Sequence, residues 1–308
     1  MELTRRSFIS LPTSSVVSAQ NEGSLNRRNS SSSEEGGHGV LVDITKCTGC
    51  RACVVACKQW NHLQMSTIPD RGTNQDNPPG LDSNTFTTIN TVEVEVDQPD
   101  QEFVYWKRQC MHCNEPACVG ACIVGALRKH EDGPVIYIQN KCIGCRYCMS
   151  ACPFGIPTYQ WEKASPWIRK CTFCADRQAQ NLQPACCGTC PSGALLFGNR
   201  EDLIKEARDV RYKASPDKYA TKNGTIHIYG EEEVGGTAWL YIAPASVSFE
   251  DLHFPQVGDE PAPKNARKAM GTLPYYAGGV ILVMAGAYWY TKRRQKLAAT
   301  KQEDKKEG

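Results

Sequence analysis

Several things are scarce in this 308-residue chain, and each scarcity excludes something. Aromatic residues are only 8% of it, so something other than aromatic packing fills part of the interior. The net charge is +2, which gives no basic footprint for nucleic acid. There is no Gly-rich phosphate loop, so nucleotide binding of that kind is excluded. The six histidines, His38, His62, His112, His130, His227 and His253, are scattered and form no catalytic constellation. No substrate pocket suggests itself, and the chain does not read as an enzyme acting alone.

Cysteine is what the chain has in excess, with 17 in all. Sixteen of them fall into four groups of four: Cys47, Cys50, Cys53, Cys57; Cys110, Cys113, Cys118, Cys122; Cys142, Cys145, Cys148, Cys152; and Cys171, Cys174, Cys186, Cys190. The first and third groups are spaced C-x2-C-x2-C-x3-C, and the third ends in Cys152-Pro153. That is the run with which bacterial ferredoxins bind 4Fe–4S clusters. Three thiolates of such a loop reach one cluster, and the fourth, on the helix that follows, serves another. The groups must therefore work in pairs, and four groups imply four clusters. Gly49 and Gly144 sit where a residue without Cβ lets backbone approach a cluster, and Ala52, Ala56 and Ala151 leave room nearby.

Two other uses of cysteine were weighed. Structural zinc takes two C-x2-C pairs far apart, and a third cysteine two residues further on, twice over, does not fit it. The odd total and the dense local runs argue against a disulfide framework. Arg51, Lys58, Arg128 and Arg146 lie near the groups and read either as offsets to cluster charge or as solvent-facing residues. His112, between two candidate ligands, reads either as a hydrogen-bond partner near a cluster or as a packing residue.

Residues 1–38 are polar and Ser-rich, ending in Ser30–Gly37, and cannot form a core. Thr4-Arg5-Arg6-Ser7-Phe8-Ile9 reads either as a twin-arginine export motif, with Val17-Ser18-Ala19 as its cleavage site, or as a basic tail. Strands are expected at Val40–Asp43, Thr85–Val96, Val135–Ile138, Thr225–Tyr229 and Ala238–Ile242, with a turn at Asn77-Pro78-Pro79-Gly80. Glu201–Val210 predicts an amphipathic helix with Leu203, Ile204 and Ala207 on one face.

Ala269–Thr291 holds no charged residue, and its 23 residues suffice to cross a bilayer as a helix. Tyr275, Tyr276, Tyr288, Trp289 and Tyr290 lie near its ends as aromatic belts would. Three basic residues precede it (Lys264, Arg267, Lys268) and seven follow (Lys292, Arg293, Arg294, Lys296, Lys301, Lys305, Lys306). That bias puts the C-terminus in the cytoplasm and the cysteine groups on the periplasmic face of the inner membrane.

The stretches Cys47–Asn61, Cys110–Cys118, Cys142–Cys148, Lys170–Arg177 and Gly235-Gly236-Thr237 resemble the iron–sulfur subunits of membrane-bound respiratory molybdenum or tungsten oxidoreductases, above all the beta subunit of formate dehydrogenase. The resemblance runs over about residues 39–290. It implies an α+β fold of two nested ferredoxin-like 4Fe–4S domains with long loops, followed by the membrane helix. The segments would be a leader (1–38), unit one (39–103 and 164–205) around unit two (104–163), a peripheral docking segment (206–268), the membrane helix (269–291) and a basic tail (292–308). It implies the ligand sets Cys47, Cys50, Cys53, Cys190; Cys171, Cys174, Cys186, Cys57; Cys110, Cys113, Cys118, Cys152; and Cys142, Cys145, Cys148, Cys122. The family spacing C-x3-C-P selects Cys186 over its neighbour Cys187, which is left to pack as a small apolar side chain. Cys57 and Cys122 are followed by Lys58 and Ile123, where the family has proline; that bears on shielding, not ligation. The implied partners are a molybdopterin catalytic subunit, a membrane cytochrome b and the bilayer, with electrons passing on to quinone. The corresponding subunit of a periplasmic nickel–iron hydrogenase, or of another molybdopterin reductase, is the second reading. A zinc-bound interaction scaffold is the reading of a different class.

Overall fold

The computed structural model describes residues 37–65, 78–93, 103–221 and 224–307. The leader with its two arginines and the strand residues 94–96 lie outside them. The chain divides into two units, 1–259 and 260–308.

In the first unit, cysteine loops alternate with β-hairpins. Strand β1 (His38–Asp43) leads into the first loop and helix α1 (Ala52–Trp60). The hairpin of β2 (Thr87–Glu93) and β3 (Phe103–Gln109) leads into the second loop and α2 (Ala117–Gly120). The pair β4 (Leu127–Lys129) and β5 (Val135–Tyr137) leads into the third loop and α3 (Tyr147–Ala151). The pair β6 (Thr158–Tyr159) and β7 (Ile168–Arg169) leads into the fourth loop, with α4 (Ala175–Gln178) and α5 (Ala185–Gly188). Strand β8 (Leu195–Asn199) then returns antiparallel to β1, with Val40 opposite Phe197. This return joins the two ends of the cysteine-bearing chain. It brings α1 against α5, while α2 packs against α3. The first loop is thereby paired with the fourth and the second with the third.

Beyond β8 the chain forms α6 (Arg200–Lys205), which runs on as a π-helical stretch, Glu206–Tyr212, and then α7 (Pro216–Tyr219). Asn199 caps α6 by accepting from the Glu201 N–H at 2.9 Å. Leu203, Ile204 and Ala207 are buried as the sequence predicts. Strand β9 (Trp239–Ile242) pairs parallel to β1 and completes a sheet ordered β8–β1–β9. The strand expected at Thr225–Tyr229 is not formed. Only Tyr229 pairs, with Tyr241, because the next residue, Gly230, turns the chain at a φ of +98°. The space at Gly230 is closed by the Trp239 carbonyl and the Thr237 hydroxyl, so no side chain fits there.

The segment after β8 is not peripheral in its packing. Trp239, Tyr241 and Leu252 are fully buried, and Phe254 stacks on Trp106 of β3 at 4.1 Å between centroids. Tyr229 and Tyr241 meet Phe254 edge-on. Such aromatic pairs contribute about 0.5–1.5 kcal/mol each beyond area burial. Trp106, Tyr229, Tyr241 and Phe254 thus form one aromatic wall between β3 and the segment after β8.

The second unit is helix α8 (Ala262–Glu307), 46 residues long and about 1.5 Å per residue in rise. It contains the helix expected at Ala269–Thr291 and extends it at both ends. Among the described residues, however, no helix is long and apolar enough to cross a membrane. The apolar centre Val280–Met284 is short, and Gly271, Thr272, Pro274, Gly278, Gly279 and Gly286 dilute it. Tyr275, Leu282 and Val283 are exposed by more than two thirds.

Asp43, at the end of β1, is completely buried and fixes the entry to the first cysteine loop. It accepts from the Thr45 hydroxyl (2.6 Å), the Tyr219 hydroxyl (2.9 Å) and the Arg211 guanidinium (2.5 Å). Replacing it with alanine leaves a nearly buried Arg211 with only its longer contact to Glu206 at 3.4 Å and strips the Thr45 and Tyr219 hydroxyls of their acceptor. Asp43→Ala should cost about 3–5 kcal/mol, read as a lower urea midpoint of the anaerobically purified protein. An unchanged midpoint would show that water takes over the Arg211 charge.

Candidate metal centres

All four cysteine loops turn in the same way. The third residue of each C-x2-C is left-handed: Gly49 (φ 68°), His112 (φ 50°), Gly144 (φ 71°) and Phe173 (φ 58°). For His112 and Phe173 this costs about 1–2 kcal/mol, strain of the kind that persists at functional sites. The turn aims the N–H of the third residue at the sulfur of the first. Gly144 N–H reaches Cys142 Sγ and Phe173 N–H reaches Cys171 Sγ, each at 3.4 Å, and Gly49 N–H does the same for Cys47. Asn61 Nδ2 approaches Cys57 Sγ at 3.6 Å, and Ala126 N–H donates to Cys122 Sγ at 3.1 Å.

The glycines have a reason the sequence did not give. A Cβ at Gly49 would lie 2.6 Å from the Tyr105 ring, and one at Gly144 would lie 3.1 Å from the Tyr159 hydroxyl. An aromatic residue from the neighbouring hairpin covers each of these loops. Arg51 and Arg146, one residue after the second cysteine, are also left-handed.

The cysteines of paired loops come within electrostatic reach of one another. Burial pushes the Cys47 thiol up, and the charges of Cys190 and Cys50 push it further. Burial raises Cys53 to about 12, with Cys47 and Cys190 adding to it. Burial raises Cys57, next to Cys171, Cys186 and Cys174. Burial raises Cys113, next to Cys110, Cys152 and Cys118. Burial raises Cys148 to about 11, next to Cys142, Cys122 and Cys145. These neighbourhoods cross between paired loops, and the expected quartets combine three cysteines of one loop with the last cysteine of the other. Contacts also run between quartets: Cys53 feels Cys186, Cys171 feels Cys110, and Cys118 feels Cys148. The expected quartets would therefore follow one another in a row.

Cys187 is buried beside Cys186, but Cys57 feels Cys171, Cys186 and Cys174. The Cys187 S–H holds the Cys186 thiol down, and Cys187 itself is pushed up by the same contact.

The residues present fit iron–sulfur clusters. A recess is lined by Cys47, Cys50, Cys53 and Cys190 together with Val42 and Lys107. Among the described residues no group of three or more His, Cys, Asp or Glu is placed to hold a single metal ion. Buried donors without protein acceptors lie at the same depth: His112 Nε2 and Trp239 Nε1. His112 Nδ1 accepts from the Val135 N–H at 2.9 Å, so its proton sits on Nε2, and its ring stacks on Phe173 at 4.9 Å.

Sequence reasoning missed the lysines that matter most. Lys107, Lys129 and Lys170 carry ammonium groups inside the protein, next to the loops. Lys129 Nζ donates to the carbonyls of His112 (2.9 Å) and Gly133 (2.7 Å). Lys170 Nζ donates to Val135 O (2.5 Å) and Cys171 O (3.0 Å). Of the basic residues that were singled out, Lys58 is buried on Gln64 O (3.0 Å) and Thr85 Oγ1 (3.2 Å). The Arg146 guanidinium lies over Tyr159 and Trp161, and Arg128 is exposed and donates to Gly125 O. Of the residues standing where the family has proline, Lys58 is buried and Ile123 is 70% exposed.

A family model for the 4Fe–4S dicluster domain matches residues 101–200, the span of the last three cysteine groups. A protein of Nitratidesulfovibrio vulgaris is 40% identical over 268 residues, 86% of this chain and 70% of its own. Hydrogenase-2 operon protein HybA of Escherichia coli O157:H7 is 32% identical over 285 residues, 85% of this chain and 86% of its own. The iron–sulfur subunit of the nitrate-inducible formate dehydrogenase of Escherichia coli K12 is 36% identical over 205 residues, 66% of each chain.

The choice between the adjacent thiols can be read directly. Cys187→Ser should leave the iron content of the anaerobically purified protein unchanged. Cys186→Ser should remove or cripple one cluster, seen as lost iron and a lost paramagnetic signal. The reverse result would exchange their roles.

Proposed function

The chain belongs to the family of 4Fe–4S dicluster proteins that includes HybA and the formate dehydrogenase iron–sulfur subunits, and we propose that it relays electrons through four clusters from a molybdopterin catalytic subunit to a membrane cytochrome b and quinone. It is an electron-transfer subunit, not a catalytic one. The observation that carries the reading is the pairing of the cysteine loops, α1 against α5 and α2 against α3, which brings cysteines of paired loops within reach of one another.

Bound 4Fe–4S clusters supply one-electron steps at potentials that their surroundings set. The chain's own residues do the rest. The proposed ligands are Cys47, Cys50, Cys53, Cys190; Cys171, Cys174, Cys186, Cys57; Cys110, Cys113, Cys118, Cys152; and Cys142, Cys145, Cys148, Cys122. Loop N–H groups at Gly144 and Phe173 hold sulfur lone pairs in place. Thiols raised by burial must lose their protons on loading, so cluster binding and folding are coupled. Tyr105 and Tyr159 cover the loops against water.

The formate reading rests on the higher identity of that relative to the cluster-bearing part of the chain. The hydrogenase reading has its own support, since the match to HybA extends over 285 residues where the formate dehydrogenase match covers 205. Formate and hydrogen, offered in turn to the isolated complex, separate them. Purified without oxygen, the chain should carry on the order of sixteen irons and sixteen sulfides. Stoichiometric zinc with little iron would overturn the reading in favour of a scaffold.

Membrane attachment through α8 belongs to the same proposal, with the cluster unit on the periplasmic side. In its support, residues 269–291 are uncharged, aromatic residues stand near both ends, and basic residues are seven after against three before. Its modest hydropathy comes from Gly, Thr, Pro, Tyr and Trp; of these, Gly lets helices pack closely within a membrane, and Tyr and Trp suit its interfaces. Deleting Ala269–Gly308 should leave the iron content intact and formate oxidation with a soluble dye unchanged, while electron delivery to quinone in membranes falls sharply. Protease added to spheroplasts should reach the cluster unit and spare a tag after Gly308. Undiminished quinone reduction, or a cleaved tag with a protected cluster unit, would refute the attachment or its orientation.

A further inference from the structure

We propose that Lys107 is a fixed positive charge shared by two clusters, the one at Cys47, Cys50, Cys53 and Cys190 and the one at Cys171, Cys174, Cys186 and Cys57, and that it makes both easier to reduce. This rests on the four-cluster reading above and deepens it.

Lys107 lies on β3 with 2% of its surface exposed. Its Nζ donates to Thr87 Oγ1 at 2.7 Å and Gln109 Oε1 at 2.9 Å, and lies 4.5 Å from the Trp239 ring centroid. All three partners are neutral. Among the described residues no carboxylate pairs with it, although a dry ammonium costs several kcal/mol without an anion. The anionic groups within reach are cysteine sulfurs. Lys107 lines the recess formed by Cys47, Cys50, Cys53 and Cys190. Its charge also acts on Cys186 and Cys171 of the next quartet. The contact of Cys53 with Cys186 places the two quartets side by side around it.

The direction follows from charge alone. Reduction adds one negative charge to a cluster. A buried cation nearby, weakly screened, stabilises that state more than the oxidised one. Gln109 holds the ammonium, and its own Nε2 donates to Tyr241 Oη at 2.5 Å, while Tyr241 Oη donates to Lys107 O at 2.9 Å. The cation is therefore anchored at both its head and its backbone. Lys129 acts on the quartet at Cys110, Cys113, Cys118 and Cys152, and Lys170 acts on Cys118 of that quartet while its Nζ also reaches the Cys171 carbonyl at 3.0 Å.

The test is a redox titration of the intact complex followed by electron paramagnetic resonance, with iron content measured on the same samples. Lys107→Met removes the charge. Gln109→Glu keeps the lysine and pairs it with a carboxylate. Each should shift two of the four one-electron steps to lower potential by about tenfold in equilibrium constant, close to 59 mV, and leave the other two in place. If Lys107→Met takes up less iron, Gln109→Glu decides. Two variants at full iron content with all four potentials unchanged, or a uniform shift of all four, would overturn the proposal. Fewer than four steps in the unaltered protein would instead bring down the four-cluster reading, a failure that the variants do not share.

Discussion

A cysteine on the helix that follows its loop cannot reach the site its loop forms. That constraint organises the whole first unit. Every quartet has to borrow a sulfur from a second loop, so loops must be held in pairs, back to back. The pairs are formed by α1 against α5 and by α2 against α3. The outer pair joins residues more than a hundred positions apart, and what closes that distance is β1 lying antiparallel to β8. The sheet is thus a clasp around the inner unit, and Asp43 at its end sets the angle at which the first loop leaves it.

The second demand is charge. Sulfurs buried in the interior are costly as thiolates, which is why burial raises so many of these thiols. The chain meets the cost locally. Loop N–H groups point at sulfur, and ammonium groups are buried among the loops on neutral acceptors. Each arrangement would be unfavourable alone. A buried lysine without a carboxylate and a buried thiolate without a cation stabilise one another only when both are present. The protein interior is therefore complementary to its cofactors more than to itself.

How far the sequence discloses this varies with the kind of residue. The candidate ligands of the first and third groups were legible, because C-x2-C-x2-C-x3-C has few other uses. The pairing of loops was not in the spacing; it came from resemblance, and its physical basis is a strand pairing between β1 and β8 that no local pattern announces. Lys107 was illegible for the opposite reason. A lysine in an alternating strand reads as solvent-facing, and only β9 and the Trp239 ring close over it. The left-handed loop positions were half legible: Gly49 and Gly144 declare themselves, while His112 and Phe173 adopt the same conformation without a glycine to signal it. Thr225–Tyr229 misled because Ile226 and Ile228 alternate as a strand would. Gly230 turns the chain before a second pair of residues can form.

His112 and Phe173 show why strain is tolerated there. They occupy equivalent positions in the two loops that face each other across the boundary between the paired units, and their rings stack. Cys110 and Cys171, the first cysteines of those loops, are neighbours. A glycine at either position would relax the backbone but would remove one ring of the stack and loosen the junction between the inner and outer pairs. The outermost loops, at Gly49 and Gly144, face no such partner loop and are covered by a tyrosine from a hairpin, so glycine serves there. The difference between the two kinds of loop follows from their place in the row. Inner loops need a side chain to pack against each other, and outer loops need room for a cover.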